Sequence, residues 1–390
     1  MATHDPLRFT AGLSAKLATR SRHVSVFLGA GAARTCGLPD MGQLQERVVE
    51  SLDDAQKSQF AGFLQRGNLE QALSRLRRIV ALLEGDQTFQ GLTESEARSL
   101  DAAVCQAIVG ALDIAERDLS PMEDFAAWAA RASYRLPLEV FTVNYDLLLE
   151  TALESTGVPF FDGFVGTLRA RFHTELVENI SGRDGEWMPA FFVRLWKLHG
   201  SVNWVREQNK EIVRLGRPAA EGSAAAIYPS DTKYEESRRV PFVVLQDRFR
   251  RALHEPESLS LVAGYSFGDA HLNELIFDAA IRRERSEIVV FCYSDIPDVL
   301  ANRAARAPNL QVVSGSEAIL GGVRGSWANP DGETSPVWID GQFSLRDFRH
   351  LAGHLARCVS REGESEAGQR GTSEVGRGAS AAESSRGPNA

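Results

Sequence analysis

The chain has 390 residues, a formal net charge of -9, 43% hydrophobic and 24% charged residues. That length suits one large domain with insertions or two domains of an ordinary globular protein. The acidic balance gives direct nucleic-acid binding no support. The 4 cysteines (Cys36, Cys105, Cys292 and Cys358) form no CxxC pair, which argues against a zinc ribbon and against a secreted disulfide scaffold. Met1 to Thr10 lacks the apolar core of a signal peptide, and no apolar run is long enough to span a bilayer. A cytoplasmic protein with reduced thiols, no resident metal, no membrane contact and no direct nucleic-acid partner is expected.

Val24 to Leu28 is an apolar run that stops at glycines, as a buried parallel strand does before a tight turn. After Pro39 the spacing becomes helical. Leu44, Val48 and Leu52 start it; Leu69, Leu73, Leu76 and Val80 continue it. Leu100, Val104, Ile108 and Leu112 repeat it, followed by Met122, Phe125 and Trp128. About residues 42–135 therefore read as an inserted helical module. Leu138 to Val143 predicts a second strand, and Leu147 to Glu154 a helix. The stretch 157–190 has no clear assignment. Phe191 to Leu198 predicts a third strand, 203–240 reads as irregular, and a helix falls within Val240 to Leu253. About 157–255 is thus expected to be a second, irregular and helical insertion.

Leu259 to Ala263 predicts a fourth strand, with a helix marked by Leu272, Leu275, Ile276 and Ala279 directly after it. Ile288 to Phe291 and Leu310 to Val313 give two more strands, and Leu345 to Val359 a closing helix. Alternating strands and helices indicate a parallel α/β sheet. From about residue 361 to 390 the chain has almost no apolar residues and reads as a disordered tail, leaving 1–360 as the folded unit.

Ligands of open α/β sheets sit at the carboxyl ends of the strands. Here, predicted strand ends carry Gly29-Ala30-Gly31 running on to Pro39-Asp40, then Thr142 to Asp146 with Asn144, then Lys197 to Ser201 with His199-Gly200, then Gly264 to Asp269 with Tyr265-Ser266. Glycines let backbone N–H groups approach a pyrophosphate, although Gly-Ala-Gly also makes ordinary turns. Asn and Asp are common turn and cap residues, and a histidine can be structural. Polar residues at successive strand ends are what a ligand site adds to those readings.

These segments resemble the sirtuin family. Its glycine loop, with the form Gly-Ala-Gly leading to Gly-Ile-Pro-Asp, is matched by Gly29 to Asp40. Its Asn-x-Asp strand end is matched by Asn144 and Asp146, its catalytic His-Gly by His199-Gly200, and its Gly-Thr-Ser by Gly264-Tyr265-Ser266. The order is the same, over about residues 22 to 295. The resemblance implies a Rossmann-like parallel sheet with helices on both faces. Ala33 replaces the family's serine, Met41-Gly42 replaces Phe-Arg, and the CxxC zinc module that helps form an acyl-lysine cleft is absent.

Thr142 to Asp146, Lys197 to Trp204 and Gly264 to Asn273 are similar to a narrower branch, the sirtuin-like domains of prokaryotic antiviral defence proteins. Ile227-Tyr228-Pro229 followed by Lys233, and the helical insertion, fit that branch. It implies an NAD hydrolase that depletes NAD on infection, works as a homo-oligomer and in some members has a hexameric DNA-translocating ATPase as partner. A protein deacylase, an ADP-ribosyltransferase and a non-catalytic NAD or ADP-ribose sensor are the alternatives.

Nicotinamide leaves as a neutral molecule, so the reaction needs no general acid but must stabilise an oxocarbenium-like transition state. His199 is expected to be the base, since the ordinary histidine pKa is about 6.5. Asn144 is expected to position ribose and water, and Asp146, by family resemblance, the carboxamide. Gly29, Ala30 and Gly31 would receive the pyrophosphate through backbone N–H groups, and Asp40 in the same loop is a further cofactor-binding candidate. Gly264 and Ser266 would meet the adenosine side, with Tyr293 or Ser294 beside the adenine. His271 and Asn273 would cap a helix or touch ligand. His350 and His354 have a spacing that metal sites also use. Trp196 and Trp204 read as core, and Cys36 has no identifiable base.

Overall fold

The computed structural model describes residues 2–358 apart from 66, 84–86, 90, 179–190, 208–210, 220–224, 228–239, 284 and 331–334. The expected tail, with Tyr228, Pro229 and Lys233, lies outside the described residues.

Strand β1 (Ala2–His4) and helix α1 (Pro6–Ala18) precede β2 (Val24–Leu28) and the short α2 (Ala30–Arg34). Asp5 starts α1 by accepting the N–H groups of Leu7 and Arg8, and Pro6 supplies the preset φ of a first helical residue. Five helices follow: α3 (Met41–Ser51), α4 (Asp54–Leu64), α5 (Leu69–Leu82), α6 (Glu94–Ala111) and α7 (Ser120–Arg131). Capping boxes at Asp40, Asp53 and Thr93 set where α3, α4 and α6 begin. The leucine stripe of α5 and the Leu100-Val104-Ile108 stripe of α6 join one core with Val24, Val26 and Leu28 of β2. The helical module therefore packs on the body of the protein rather than forming a core apart.

Next come β3 (Glu139–Thr142), α8 (Leu148–Ser155), β4 (Phe160–Phe161), β5 (Phe164–Val165), β6 (Arg169–Phe172) and α9 (Thr174–Glu178). They lead to β7 (Val193–Lys197), β8 (Gly200–Arg206), β9 (Ile212–Leu215), β10 (Ala225–Ile227) and α10 (Phe242–Leu253). The last third holds β11 (Leu259–Ala263), α11 (Ala270–Arg282), β12 (Glu287–Phe291), α12 (Asp298–Ala304), β13 (Leu310–Val313), β14 (Glu317–Leu320) and β15 (Val323–Trp327). A small hairpin of β16 (Trp338–Ile339) and β17 (Gln342–Phe343) follows, then a 3-10 turn (Ser344–Arg346) and a helix over 348–358.

Ten strands form one sheet in the order β1-β15-β14-β13-β12-β11-β2-β3-β7-β4. Every neighbouring pair is parallel except β13-β14 and β14-β15. This is a mostly parallel α/β sheet flanked by helices, of Rossmann-like type. Parallel strands are covered on both faces, which is why β2, β11 and β12 are buried along their whole length. Alternate residues feed two cores: Val26 and Leu261 face the helical module, and Phe27 and Val262 face α10 and α11. From β2 the chain builds β3 and β7 on one side, and later β11 to β13 on the other. The switch point thus falls between β2 and β11, where open α/β sheets bind ligands.

The stretch 203–240, expected to be irregular, instead contributes β8, β9 and β10 to a five-stranded antiparallel sheet, order β10-β8-β9-β6-β5. β8 is buried along most of its length but interrupts its apolar residues with Ser201 and Asn203, and β5, β6 and β9 are only two to four residues long, so none carries a long apolar run. Arg169-Ala170-Arg171-Phe172 alternates charged and apolar residues, the period-2 signal of one buried face. Among the described residues no helix is long and apolar enough to cross a membrane.

At the start of β3, Glu139 is fully buried. Arg248 holds its two oxygens at 2.6 and 2.7 Å, Trp196 donates to it at 3.0 Å, and His23 Nε2 lies 3.2 Å away. Burial acts to raise its pKa, but Arg248 and then His23 outweigh that and bring it from 4.5 down to about 2. A folded-state pKa below the unfolded one gives stability that is present above about 4.5 and lost as pH falls towards about 2. Glu139→Ala leaves Arg248 buried and unpaired, and is expected to cost about 3–5 kcal/mol in urea unfolding at neutral pH. The same titrations repeated down to acid pH should show the variant losing less stability than the wild type.

Candidate active site

The strands of the sheet end level. Leu28 pairs in register with Thr142 and Ala263, Thr142 with Lys197, and Ala263 with Phe291. The residues just beyond, from the His199 side to the Tyr293 side, therefore open on one edge. A cavity of about 620 Å³ runs along it, a size suited to a small-molecule ligand.

The floor is made by two glycine turns. Gly29 N–H donates to Ala263 O at 3.0 Å, and Gly31 N–H donates to Gly264 O at 2.8 Å. A Cβ on Gly31 would lie 2.7 Å from Gly264 Cα, and one on Gly264 would lie 2.3 Å from Ala32 N. Gly264 also has φ +65, the left-handed region. The glycines are required by this backbone-on-backbone contact. That corrects the expectation that their N–H groups face a pyrophosphate: in Gly29 and Gly31 these groups are already bonded within the protein.

Asn144 braces the same turn, its Nδ2 donating to Gly29 O at 3.1 Å. Thr142 Oγ1 donates to Leu28 O and accepts Asn144 N–H, locking the strand end. Asp146 is buried and accepts Leu148 N–H at 3.1 Å, at the start of α8. Burial raises its pKa, with Lys197 opposing. Lys197, itself buried, donates to Asp146 O and to Glu150 at 2.7 Å. The geometry gives Asp146 a structural partner set and Asn144 a link to the glycine turn.

Of the residues singled out from sequence, Ala30, Gly31, Asp40, His199, Gly264, Ser266, Tyr293 and Ser294 line the cavity. Gly29, Asn144 and Asp146 are not among the lining residues; they stand behind the wall. Asp40 is also the N-cap of α3.

His199 is buried, and its Nε2 lies 3.2 Å from Asp269 Oδ2, close but off the line of a good hydrogen bond. Its Nδ1 has no hydrogen-bond partner among the described residues. Asp269 caps α11, accepting the N–H groups of His271 and Leu272. Burial opposes its ionisation, yet the His199 contact and these two N–H groups hold its pKa below the ordinary carboxylate range. The Gly264–Asp269 loop is fixed from inside: Tyr265 OH donates to Asn273 Oδ1 at 2.8 Å, and Asn273 Nδ2 donates to Phe267 O at 2.8 Å. Phe267 is held at φ 57, an uncommon conformation for a bulky residue, and it lines the cavity.

Other lining residues come from distant segments. Asn68 and Glu70 arrive from the start of α5, and Arg346, Asp347 and Phe348 from the C-terminal turn. Arg346 stacks over Tyr293 at 4.9 Å and donates to its carbonyl, while Arg34 approaches the same ring at 6.0 Å. Sequence reasoning placed Lys197 and Asp269 in the strand-end segments without giving either a role, and missed Glu70 and Arg346. Asp269 had a usable signal, since an Asp directly before an apolar helical pattern marks an N-cap at the ligand end of the helix.

Trp196 and Trp204 are core residues, as expected. Cys36 is buried, and burial pushes its thiol up to about 11. His354 Nε2 lies 3.2 Å from both Ser14 Oγ and Cys358 Sγ. Among the described residues no three His, Cys, Asp or Glu side chains converge as a metal cage.

Residues 138–313 match the family model of the SIR2-like domain. The match runs from the approach to β3 through β13 and includes His199 and the Gly264–Asp269 loop. It supports a sirtuin-like family and NAD-related activity in general. No curated protein matches the chain.

Gly264→Ala should therefore separate the two turns. It is expected to destabilise the protein by about 1–3 kcal/mol in thermal or urea unfolding and to abolish ligand binding at the cavity. Gly12→Ala, in α1 where nothing lies within 4 Å of the added methyl, should do neither.

Proposed function

We propose that this protein is an NAD hydrolase that cleaves the nicotinamide–ribose bond and releases nicotinamide and ADP-ribose. The observation that carries this reading is the His199–Asp269 pair, set in the same cavity as the Gly31 and Gly264 turns. The SIR2-like match, which covers that pair, supports it.

The Asp269 carboxylate beside Nε2 favours the tautomer with its proton on that nitrogen, so Nδ1 keeps a lone pair. A buried Nδ1 with no protein partner suits a base that takes a proton from a ribose hydroxyl or the attacking water. Asp269 acts through His199 and is a positioning residue. Asn144, which does not itself line the cavity, serves the site by fixing the glycine turn through Nδ2. Because the Gly29 and Gly31 N–H groups are engaged, Arg34 and Arg346 beside Tyr293 are the groups assigned to the anionic diphosphate and the adenosine side. Asp146 serves this site by shaping the Asn144 turn.

NAD depletion in antiviral defence, homo-oligomeric assembly and an ATPase partner rest on the resemblance of the strand-end segments to the defence branch. The missing CxxC pair and the replaced Phe-Arg disfavour the deacylase alternative.

Purified protein incubated with NAD, with products separated by chromatography, is expected to yield nicotinamide and ADP-ribose. His199→Ala should lower the rate by at least about 100-fold, with Asp269→Asn intermediate. Undiminished turnover in His199→Ala would remove the histidine from the chemistry. Tight NAD binding with no product would favour the sensor reading.

A further inference from the structure

Glu70 is a cavity carboxylate that the reading above leaves without a role. It stands in the first turn of α5, is half-buried and lines the cavity together with His199 and Asp269. Asp40, Asp269, Asp295 and Asp347 also line it; Asp40, Asp269 and Asp347 each accept backbone N–H groups at a turn or helix start, and Asp295 is exposed on the segment after β12, whereas Glu70 is half-buried. Glu70 has a different partner: the Tyr145 hydroxyl donates to its Oε1 at 2.8 Å. Among the described residues it forms no ion pair.

Tyr145 holds that carboxylate in a fixed place. It lies between Asn144 and Asp146 on the strand-end turn. Its carbonyl accepts from Val202 N–H at 2.9 Å, Ser201 Oγ at 3.2 Å and Lys197 Nζ at 3.5 Å. Burial first, and the Glu70 charge next, push the phenol well above its ordinary pKa, so it stays a donor. A negative group is thereby anchored to the same turn system as Asn144 and faces the cavity that contains His199. Carboxylates with such access are suited to a cationic ligand group, whose attraction strengthens away from bulk water.

We propose that Glu70 is a catalytic residue of the same reaction: its carboxylate faces the cationic nicotinamide–ribose end of the substrate and stabilises the charge that passes to the ribose. As the bond breaks, its electron pair leaves with the nicotinamide nitrogen, and the positive charge moves to the ribose carbon. Water oxygen then bonds to that carbon, and the water proton passes to His199. Glu70 is neither base nor nucleophile; it acts by charge. The site should consequently select the cationic oxidised dinucleotide over its neutral reduced form. This inference rests on the NAD reading of the site.

The test uses the full chain carrying His199→Ala, which keeps NAD intact, with and without Glu70→Gln. Glutamine preserves size and still accepts from Tyr145. Titrations with NAD, NADH and ADP-ribose are expected to show a preference for NAD over NADH of about tenfold that Glu70→Gln removes, while ADP-ribose affinity stays the same. With His199 intact, Glu70→Gln should lower kcat by tenfold or more at an unchanged melting temperature, and Tyr145→Phe should lower it less. A preference that survives Glu70→Gln, or an equal loss of ADP-ribose affinity, overturns the role of Glu70 and leaves the hydrolase reading standing. Failure to bind both NAD and ADP-ribose overturns both.

Discussion

Gly31 and Gly264 bring two turns into backbone contact, with an N–H···O bond of 2.8 Å and no room for a Cβ on either side. This contact lies where the strand order switches direction, between β2 and β11. The two loops leave it in opposite senses, one towards α3 and the other towards Asp269. Because the sheet ends level on both sides, the same contact sets how the remaining strand-end residues meet. The Asn144 bond to Gly29 O extends the constraint to β3, and the Asp269 approach to His199 extends it to β7.

The rigidity of the site comes from interactions that do not touch a ligand. Phe249 of α10 lies beneath both Phe27 and Phe141, at centroid distances of 5.2 and 4.9 Å, and Phe27 supports Tyr265 at 4.8 Å. Truncating such a buried ring costs about 3–5 kcal/mol, so the loop carrying Asp269 is tied to the core. Lys197 ties the Asn144–Asp146 turn to Glu150 in the same way. The helical module and the C-terminal segment each contribute residues to the cavity lining. Arg349 joins these two segments to α2, donating to Thr35 O at 2.6 Å and to Asp118 at 2.8 Å.

Much of this was legible in the sequence. The parallel strands are short apolar runs ending in glycine or polar residues, and the module helices have strong leucine stripes and caps. Interactions between residues far apart in sequence were not legible. Nothing local announces that Asp269 meets His199, that Tyr145 meets Glu70, or that Arg346 covers Tyr293. The glycine loop was legible as a tight turn, but whether its N–H groups face a ligand or a neighbouring carbonyl depends on the second turn. β1 and the β14-β15 hairpin were missed because short strands at a sheet margin have too few residues to establish a period, although Asp5-Pro6 does mark the start of α1.

The central claim is that one ligand lies across the sheet edge, with its reacting end at His199 and its far end at Tyr293. A crystal structure of His199→Ala with NAD tests it most directly. The account predicts the nicotinamide ribose beside position 199 and Asp269, the diphosphate within reach of Arg34 and Arg346, and the adenosine against Tyr293. NAD bound in the opposite sense, or outside this cavity, would contradict it.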